Sequence, residues 1–347
     1  MSQRRAYGTM IRLDDRALAT RYGNFRLQRF RNLATRTVAL AAVLGDVGSA
    51  DPVLARVHSS CVTSESYGAC DCDCAEQLAI ALEAIARAGR GVLFYLMQEG
   101  RGAGFAAKAR DRMLVQASGH RLTTFEAYER MGLGSDHRRY DEVVAMCRLL
   151  GVSAPLRVLS NNPDKVAALE ASAVRVDGVQ RLEHEISPFA RHYMAAKQRS
   201  GHRLAWNDAA EAAELPEPVQ AFDPHPLVEF PQVLYLASYL LPVRLRRPLP
   251  CWFRLHAYLQ AESGAEHVVL THGAGAPVRP LASVQRETLE DRFPVRAPSA
   301  SRLRWERAVE RIAAHGAGCV LFESVVPPEA PPDPVGLALL ARHAAAP

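Results

Sequence analysis

Four of the chain's seven cysteines fall within fourteen residues, Cys61-Val-Thr-Ser-Glu-Ser-Tyr-Gly-Ala-Cys70-Asp71-Cys72-Asp73-Cys74, and the last three alternate. Alternation suits an extended segment or tight turn that aims neighbouring thiolates at one ion. Zn²⁺ fits, because thiolates are soft ligands and zinc accepts tetrahedral sulfur coordination. A buried cysteine cluster or a disulfide is the bland alternative. Adjacent cysteines in a chain without an export signal are more often metal-binding. All four thiolates would make a closed structural site, whereas three leave a position where water can be deprotonated near pH 7.

Two further stretches could handle phosphate. Gln98-Glu99-Gly100-Arg101-Gly102-Ala103-Gly104 lies between an apolar strand and a helix. Such a turn leaves free backbone N–H groups at a helix N-terminus, and Arg101 could add a bidentate clamp. Ser160-Asn161-Asn162-Pro163-Asp164-Lys165 repeats the arrangement with a hydroxyl and a lysine. An ordinary tight turn and helix capping by Ser160 and Asn161 are the structural alternatives. The polar loop Gly132 to Tyr140 carries Asp136 and Arg138, which could equally be a surface ion pair.

The elements that must position these groups can be read from periodicity. Residues up to about 60 alternate or run apolar as strands, with Asn24-Phe-Arg-Leu-Gln-Arg-Phe, Val38–Leu44 and Val53–His58 the clearest. After Cys74, Leu78, Leu82 and Ile85 mark one face of a helix closed by Gly89 and Gly91. Val92–Met97 is a buried strand, and helices are expected from about Phe105 to Ala117, from Thr123 and over Asp141–Leu150. Leu156–Leu159 is a further strand. The fold class is therefore α/β, an α+β mixed sheet with flanking helices.

With 347 residues, two domains are expected. Composition, 48% hydrophobic and 23% charged, is that of a globular protein and excludes wholesale disorder. The net charge of +5 suits an anionic substrate but falls short of a nucleic-acid footprint. Met1-Ser-Gln-Arg-Arg-Ala-Tyr does not read as a signal peptide, and the apolar run Val233–Val243 is too short to span a bilayer. Cytoplasm is the expected compartment, with no membrane partner.

Taken together, Arg56-Val57-His58-Ser59-Ser60-Cys61-Val-Thr, Cys72-Asp-Cys74-Ala-Glu-Gln77-Leu, Gln98-Glu99-Gly100-Arg101, Asp136-His-Arg138 and Ser160-Asn-Asn-Pro-Asp-Lys165 resemble GTP cyclohydrolase II. That family comprises the zinc enzymes opening riboflavin synthesis. The resemblance covers roughly residues 20 to 203. It implies a zinc ion on Cys61, Cys72 and Cys74, and Mg²⁺ accompanying a GTP substrate. It implies nucleotide contacts from Arg56, Val57, His58, Ser59, Ser60, Gln77, Glu99, Gly100, Arg101, Thr124, Ser160 and Lys165. Asp136 would be a proton acceptor and Arg138 the nucleophile on the α-phosphate. From its chemistry alone Arg138 reads as a phosphate clamp, since guanidinium stays protonated to very high pH. The implied reaction opens the imidazole ring, with release of formate and pyrophosphate.

The sequence departs from the family pattern at several points. Cys70 stands where no ligand is expected, Ser60 replaces a glutamate, and Asp71 stands where arginine is common. A family tyrosine on the helix after the glycine-rich turn is Arg112 or, one residue along, Met113. These changes leave room for an altered product, for ring opening of a pyrimidine (uracil) nucleotide, or for a non-catalytic zinc-stabilised nucleotide-binding protein closed by four thiolates. Retention of Asp136 with Arg138 argues against the last.

Beyond a proline-bearing stretch the chain echoes itself. Phe253-Arg-Leu repeats Phe25-Arg-Leu, Pro280–Thr288 repeats Val53–Cys61 in pattern, and Ala308–Phe322 parallels Ala81–Phe94. In that register Thr288, Ser299 and Ser301 replace Cys61, Cys72 and Cys74, and Arg304 replaces Gln77. Residues 1–203 are thus expected to form the catalytic domain and 204–235 a linker. Residues 236–347 would be a smaller degenerate copy without zinc ligands, a packing or dimer-mimicking module. The assembly expected is a homodimer or a pseudo-symmetric arrangement through that copy.

Overall fold

The computed structural model describes residues 6–204, 211–273, 275 and 279–323. The part of the expected copy beyond Glu323 lies outside these. An eight-stranded mixed sheet contains β1 (Ala6–Tyr7), β2 (Met10–Ala19), β3 (Asn24–Asn32), β4 (Val38–Leu44), β5 (Val53–Ser59), β6 (Gly91–Leu96), β7 (Leu156–Leu159) and β8 (Val176–Gln180). Their spatial order is β1-β2-β3-β4-β6-β5-β7-β8. The pairs β5·β6, β5·β7 and β7·β8 are parallel, so the chain leaves β5, β6 and β7 at one edge. Ligand sites form outside the carboxyl ends of such strands. All three candidate stretches start there.

Helices cover both faces. Leu78, Ala81, Leu82 and Ile85 of α2 (Cys74–Ala88) pack on Leu27, Leu40, Ala42 and Leu93, and Gly89 in left-handed conformation ends the helix. Burying each of these leucines contributes about 2 kcal/mol. On the other face α5 (Asp141–Leu150) and α6 (Pro163–Ala171) bring Val143, Met146, Leu149 and Leu169 against Val57, Val92 and Phe94. The remaining helices of this half are the single turn α1 (Val62–Glu65), α3 (Phe105–Ala117), α4 (Thr124–Arg130) and α7 (Arg191–Arg199). A capping box between Thr123 and Glu126 starts α4.

The second sheet contains β9 (His225–Pro226), β10 (Val233–Val243), β11 (Cys251–Gln260), β12 (Glu266–His272), β13 (Leu281–Arg286) and β14 (Gly318–Glu323), in the order β13-β14-β12-β11-β10-β9. It takes in His225–Pro226 and Val233, which the sequence places in the linker. Pro226 pairs with Leu234, and Val219 is buried in the core beneath α3. An edge strand tolerates the proline because one side of it needs no N–H donor.

The registers of the two sheets correspond pair by pair. Ala55 faces Val92 and Ser59 faces Leu96; Ala282 faces Cys319 and Arg286 faces Glu323. Arg26 faces Val43, as Arg254 faces Thr271. The β2·β3 ladder is interrupted between Arg12 and Asp14, and the β10·β11 ladder between Tyr235 and Ala237. A Cβ on Gly91 would meet Leu54 O at 2.5 Å, and one on Gly318 would meet Leu281 O at 2.5 Å. Helix α8 (Ala300–His315) joins β13 to β14 as α2 joins β5 to β6. Phe105, Ala109 and Met113 of α3 share a core with Tyr239, Leu241, Phe253 and Trp305, which welds the halves together.

Candidate active site

The chain leaves β5 at Ser59 and turns into α1, then returns through Cys70 to the start of α2. This double turn brings the thiols of Cys61, Cys72 and Cys74 within 4.8 Å of one another. Cys61 Sγ and Cys72 Sγ are 3.7 Å apart. Hydrogen bonds from Cys72 and Cys74, aided by Lys108, hold the Cys61 thiol well below its ordinary pKa. Three soft donors converging on one point, the first biased towards thiolate, suit a zinc-sized cation. Cys70 takes no part. Its thiol donates to Pro242 O at 3.3 Å, and burial pushes it up to about 12. The four-thiolate closure allowed by the sequence is therefore not formed, because the loop leading to Cys70 is bonded to β10 through Cys70 N and Pro242 O at 3.0 Å. All seven cysteines are free thiols.

Beside the thiols lies a group of buried cations. The Arg56 guanidinium donates to Leu159 O at 2.8 Å and to Gln77, whose amide in turn donates to Asp73. Lys165 donates to Val57 O at 3.0 Å, which is the contribution of Val57, its side chain being in the core. Burial, then Arg56 and Arg138, pushes the Lys165 ammonium well below its ordinary pKa. Arg138 is held by Asp136, Nε standing 2.9 and 3.0 Å from the two carboxylate oxygens. Burial opposes the charge on both partners, and their hydrogen bonds outweigh it, so Asp136 stays low and Arg138 high. Arg56 and Lys165, crowded out of water and hydrogen-bonded to neutral oxygens, form a preorganised anion site beside Arg138.

Other residues singled out in the sequence play supporting parts. Glu99 accepts from Val62 N at 2.9 Å and pairs with Lys108 at 2.6 Å, and burial raises its carboxyl to about 7. His58 meets Glu65 at 2.8 Å and is stacked on Tyr95, so its ring faces the interior. Ser59 Oγ is buried with no partner among the described residues. Ser60 lines a cavity of about 580 Å³ at the seam between the halves, together with Glu99 and Arg292. Gly100 O accepts from Tyr128, and the Arg101 guanidinium lies 3.8 Å from the Phe125 ring centroid. The Arg101 turn is clipped to the Asp136 loop by His137 N donating to Arg101 O at 2.9 Å. Gly102, at φ +84, is required there, since a Cβ would meet the His137 backbone at 2.8 Å. Thr124 donates to Asp111 at 2.8 Å. Ser160 Oγ accepts from Asn162 N at 3.1 Å and so braces the turn leading to Lys165.

Sequence patterns did not flag Lys108, Asp73 or Lys197 as functional. Lys108 Nζ stands 3.1 Å from Cys61 Sγ and 2.9 Å from Thr63 Oγ1. Asp73 pairs with Lys197 at 2.6 Å; burial raises its carboxyl, but Lys197 outweighs burial and keeps it low. Asp73 sits inside the cysteine string and could have been suspected from that alone. Lys197 arrives on α7 from far along the chain and leaves no local signal.

A family model described as GTP cyclohydrolase II matches residues 12–182. GTP cyclohydrolase-2 of Pseudomonas putida (strain W619) is 40% identical over 188 residues, covering 54% of this chain and 90% of that protein. The enzyme of the same name from Azotobacter vinelandii is 40% identical over 188 residues, 54% of this chain and 88% of its own. The chain belongs to the GTP cyclohydrolase II family. It is accordingly a hydrolase. A third relative, the riboflavin biosynthesis protein RibBA of Chlorobium phaeovibrioides, is 40% identical over 191 residues, 54% of this chain and 45% of its own. Among the family departures, the structure separates the two candidates on α3: Arg112 faces Asp71 at 3.5 Å and the Tyr193 ring at 4.4 Å, whereas Met113 is in the core. No helix among the described residues is long and apolar enough to cross a membrane.

Proposed function

We propose that the protein is a zinc-dependent nucleotide cyclohydrolase that opens the imidazole ring of GTP and releases formate and pyrophosphate. One observation carries this reading. The three-thiol cluster adjoins a buried cation group in which Arg56 and Arg138 both act on Lys165. A triphosphate would supply the missing negative charge.

Cys61, Cys72 and Cys74 would hold zinc, which supplies Lewis-acid activation of water. Arg56 and Lys165 bind phosphate oxygens, and Arg101 extends the cationic wall toward solvent. Mg²⁺ would enter with the nucleotide. Arg138, charged and gripped by Asp136, clamps phosphate in the resting enzyme. It becomes a nucleophile only if Asp136 removes its proton, which the strong pairing opposes until substrate charge redistributes. Gln77, bridging Arg56 and Asp73, orders the floor of the site. Lys108 offsets thiolate charge at Cys61. Reduced thiols suit a cytoplasmic setting, and the family resemblance suits a role in riboflavin synthesis.

The test is to incubate the zinc-loaded protein with GTP and Mg²⁺, and with uridine nucleotides, and to measure formate, pyrophosphate and product mass. Formate with pyrophosphate from GTP is expected. Retention of the formyl group would indicate the altered product that the Arg112 substitution leaves open. Turnover of only the uridine nucleotides would replace this reading with pyrimidine ring opening, and binding without turnover of any would leave a nucleotide-binding protein.

A further inference from the structure

Contacts between the two halves are reciprocal. Cys70 N donates to Pro242 O at 3.0 Å and Arg244 N to Gly68 O at 2.9 Å. Their counterparts, once the loop is shifted by one residue from the register of β5 and β13, are Arg296 N to Ala19 O at 2.8 Å and Arg21 N to Pro294 O at 2.9 Å. The two isolated bridges, Thr20 with Val295 and Ala69 with Val243, are related in the same way. In each case the end of β2 or β10 bonds a loop of the other half. Reciprocal pairing of equivalent residues is the signature of a two-fold interface. Here both sides belong to one chain.

The second half also reaches the metal turn. Arg302 donates to Glu65 O at 3.1 Å and to Ser66 O at 2.7 Å. Arg292, buried and paired with Glu287 at 2.8 Å, donates to Tyr95 OH at 3.3 Å. Tyr95 donates to Glu65, whose other oxygen accepts from Cys61 N at 3.1 Å. Glu287 further accepts from Ser66. The 3₁₀ turn Leu289–Arg292 that carries Arg292 is the register counterpart of α1 and packs against it.

We propose that residues 233–323 are a second subunit built into the chain, in which Arg292 and Arg302 are positioning residues holding the Cys61–Ser66 turn in the geometry the three-thiol site needs. Thr288, Ser299 and Ser301 stand where the copy would carry thiols, so the pair has one metal centre. Thr288 and Ser299 are instead tied to Asp291, which stiffens the turn. This inference rests on the proposed role of the three thiols.

The test uses the full chain with Arg302→Met, Arg302→Lys and Arg292→Met. Amide hydrogen exchange over 59–67 in the metal-free protein should quicken more than 10-fold in Arg302→Met. The cobalt-loaded protein should show a shifted thiolate-to-cobalt absorption band, and kcat should fall with little change in KM. Arg302→Lys should recover part of each. Arg292→Met should behave like Arg302→Met where it folds. Unchanged exchange and an unchanged cobalt spectrum in Arg302→Met, with only a lower melting temperature, would overturn the positioning role. Sedimentation should show a monomer at all concentrations with full activity; activity confined to a chain dimer would overturn the built-in subunit. A wild-type protein releasing no formate would strike the functional reading, and the exchange and cobalt measurements would still decide this one.

Discussion

Asp71 and Arg112 face each other at 3.5 Å, both largely buried, on the segment between the thiols and on α3 respectively. Asp71, and Arg112 as one of the two α3 positions read against the family tyrosine, are expected departures from the family pattern, and these two residues meet. Burial opposes the charge of Arg112, but Asp71 and Asp111 outweigh it. Removing one partner of a buried pair strands the other, at a cost on the order of 3 kcal/mol, while replacing both with matched neutral groups costs far less. Arg112→Met alone should therefore lower stability clearly, and Asp71→Asn with Arg112→Met should recover most of the loss. Denaturant unfolding of the four proteins in the cycle measures this, and additive losses would mean the pair is not coupled.

Cys70→Ala should keep one zinc per chain, since its thiol points to Pro242 rather than to the cluster. Cys72→Ala should lose the metal. Elemental analysis after dialysis against a weak chelator separates these outcomes, and zinc loss in Cys70→Ala would refute the three-thiol site.

Lys108→Met should weaken zinc binding about 10–100-fold, as loss of outer-sphere partners typically does. The reason is specific: the ammonium stands 3.1 Å from Cys61 Sγ and also neutralises Glu99, so its removal leaves two acidic groups facing each other. Competition with a chromogenic chelator gives the affinity.

The Lys165 ammonium is depressed well below 10.5 in the free protein. Bound phosphate favours the protonated form, so nucleotide binding takes up a proton once pH exceeds the depressed pKa. KM should rise with pH through that window, and Lys165→Met should raise KM and flatten its pH dependence. The same depression bears on folding. Between the folded value and 10.5 the unfolded chain binds more protons, so this group's contribution makes stability rise with pH there. A KM profile identical in wild type and Lys165→Met would exclude Lys165 from phosphate binding.

Arg138→Lys distinguishes the two roles open to that residue. A clamp retains part of its function as lysine, with a lowered kcat/KM and measurable product. An obligatory guanidinium nucleophile would leave product release at background. Product assays at saturating GTP decide, and Asp136→Asn should lower turnover in either case because Arg138 loses its bidentate partner.

Much of this arrangement was legible in the sequence because its signals are local. The cysteine string, the glycine-rich turn and the Ser160–Lys165 turn each determine backbone geometry within a few residues, although the residue capping α6 is Asn162 rather than the Ser160 or Asn161 expected, and the periodicity of Leu78, Leu82 and Ile85 locates the core face of α2. The resemblance added the order of the motifs, and the echo in the C-terminal half was visible as matched strand patterns. Tertiary structure alone decided that Cys70 is turned away, that Arg112 rather than Met113 faces Asp71, that Glu99 braces the Cys61 turn, and that Lys108 and Lys197 join the site. It also decided that the halves meet reciprocally, with Arg292 and Arg302 beside the Cys61–Ser66 turn. These relations depend on which side chains share a buried volume after distant segments pack, and Coulombic and hydrogen-bond energies act across that shared space irrespective of separation along the chain.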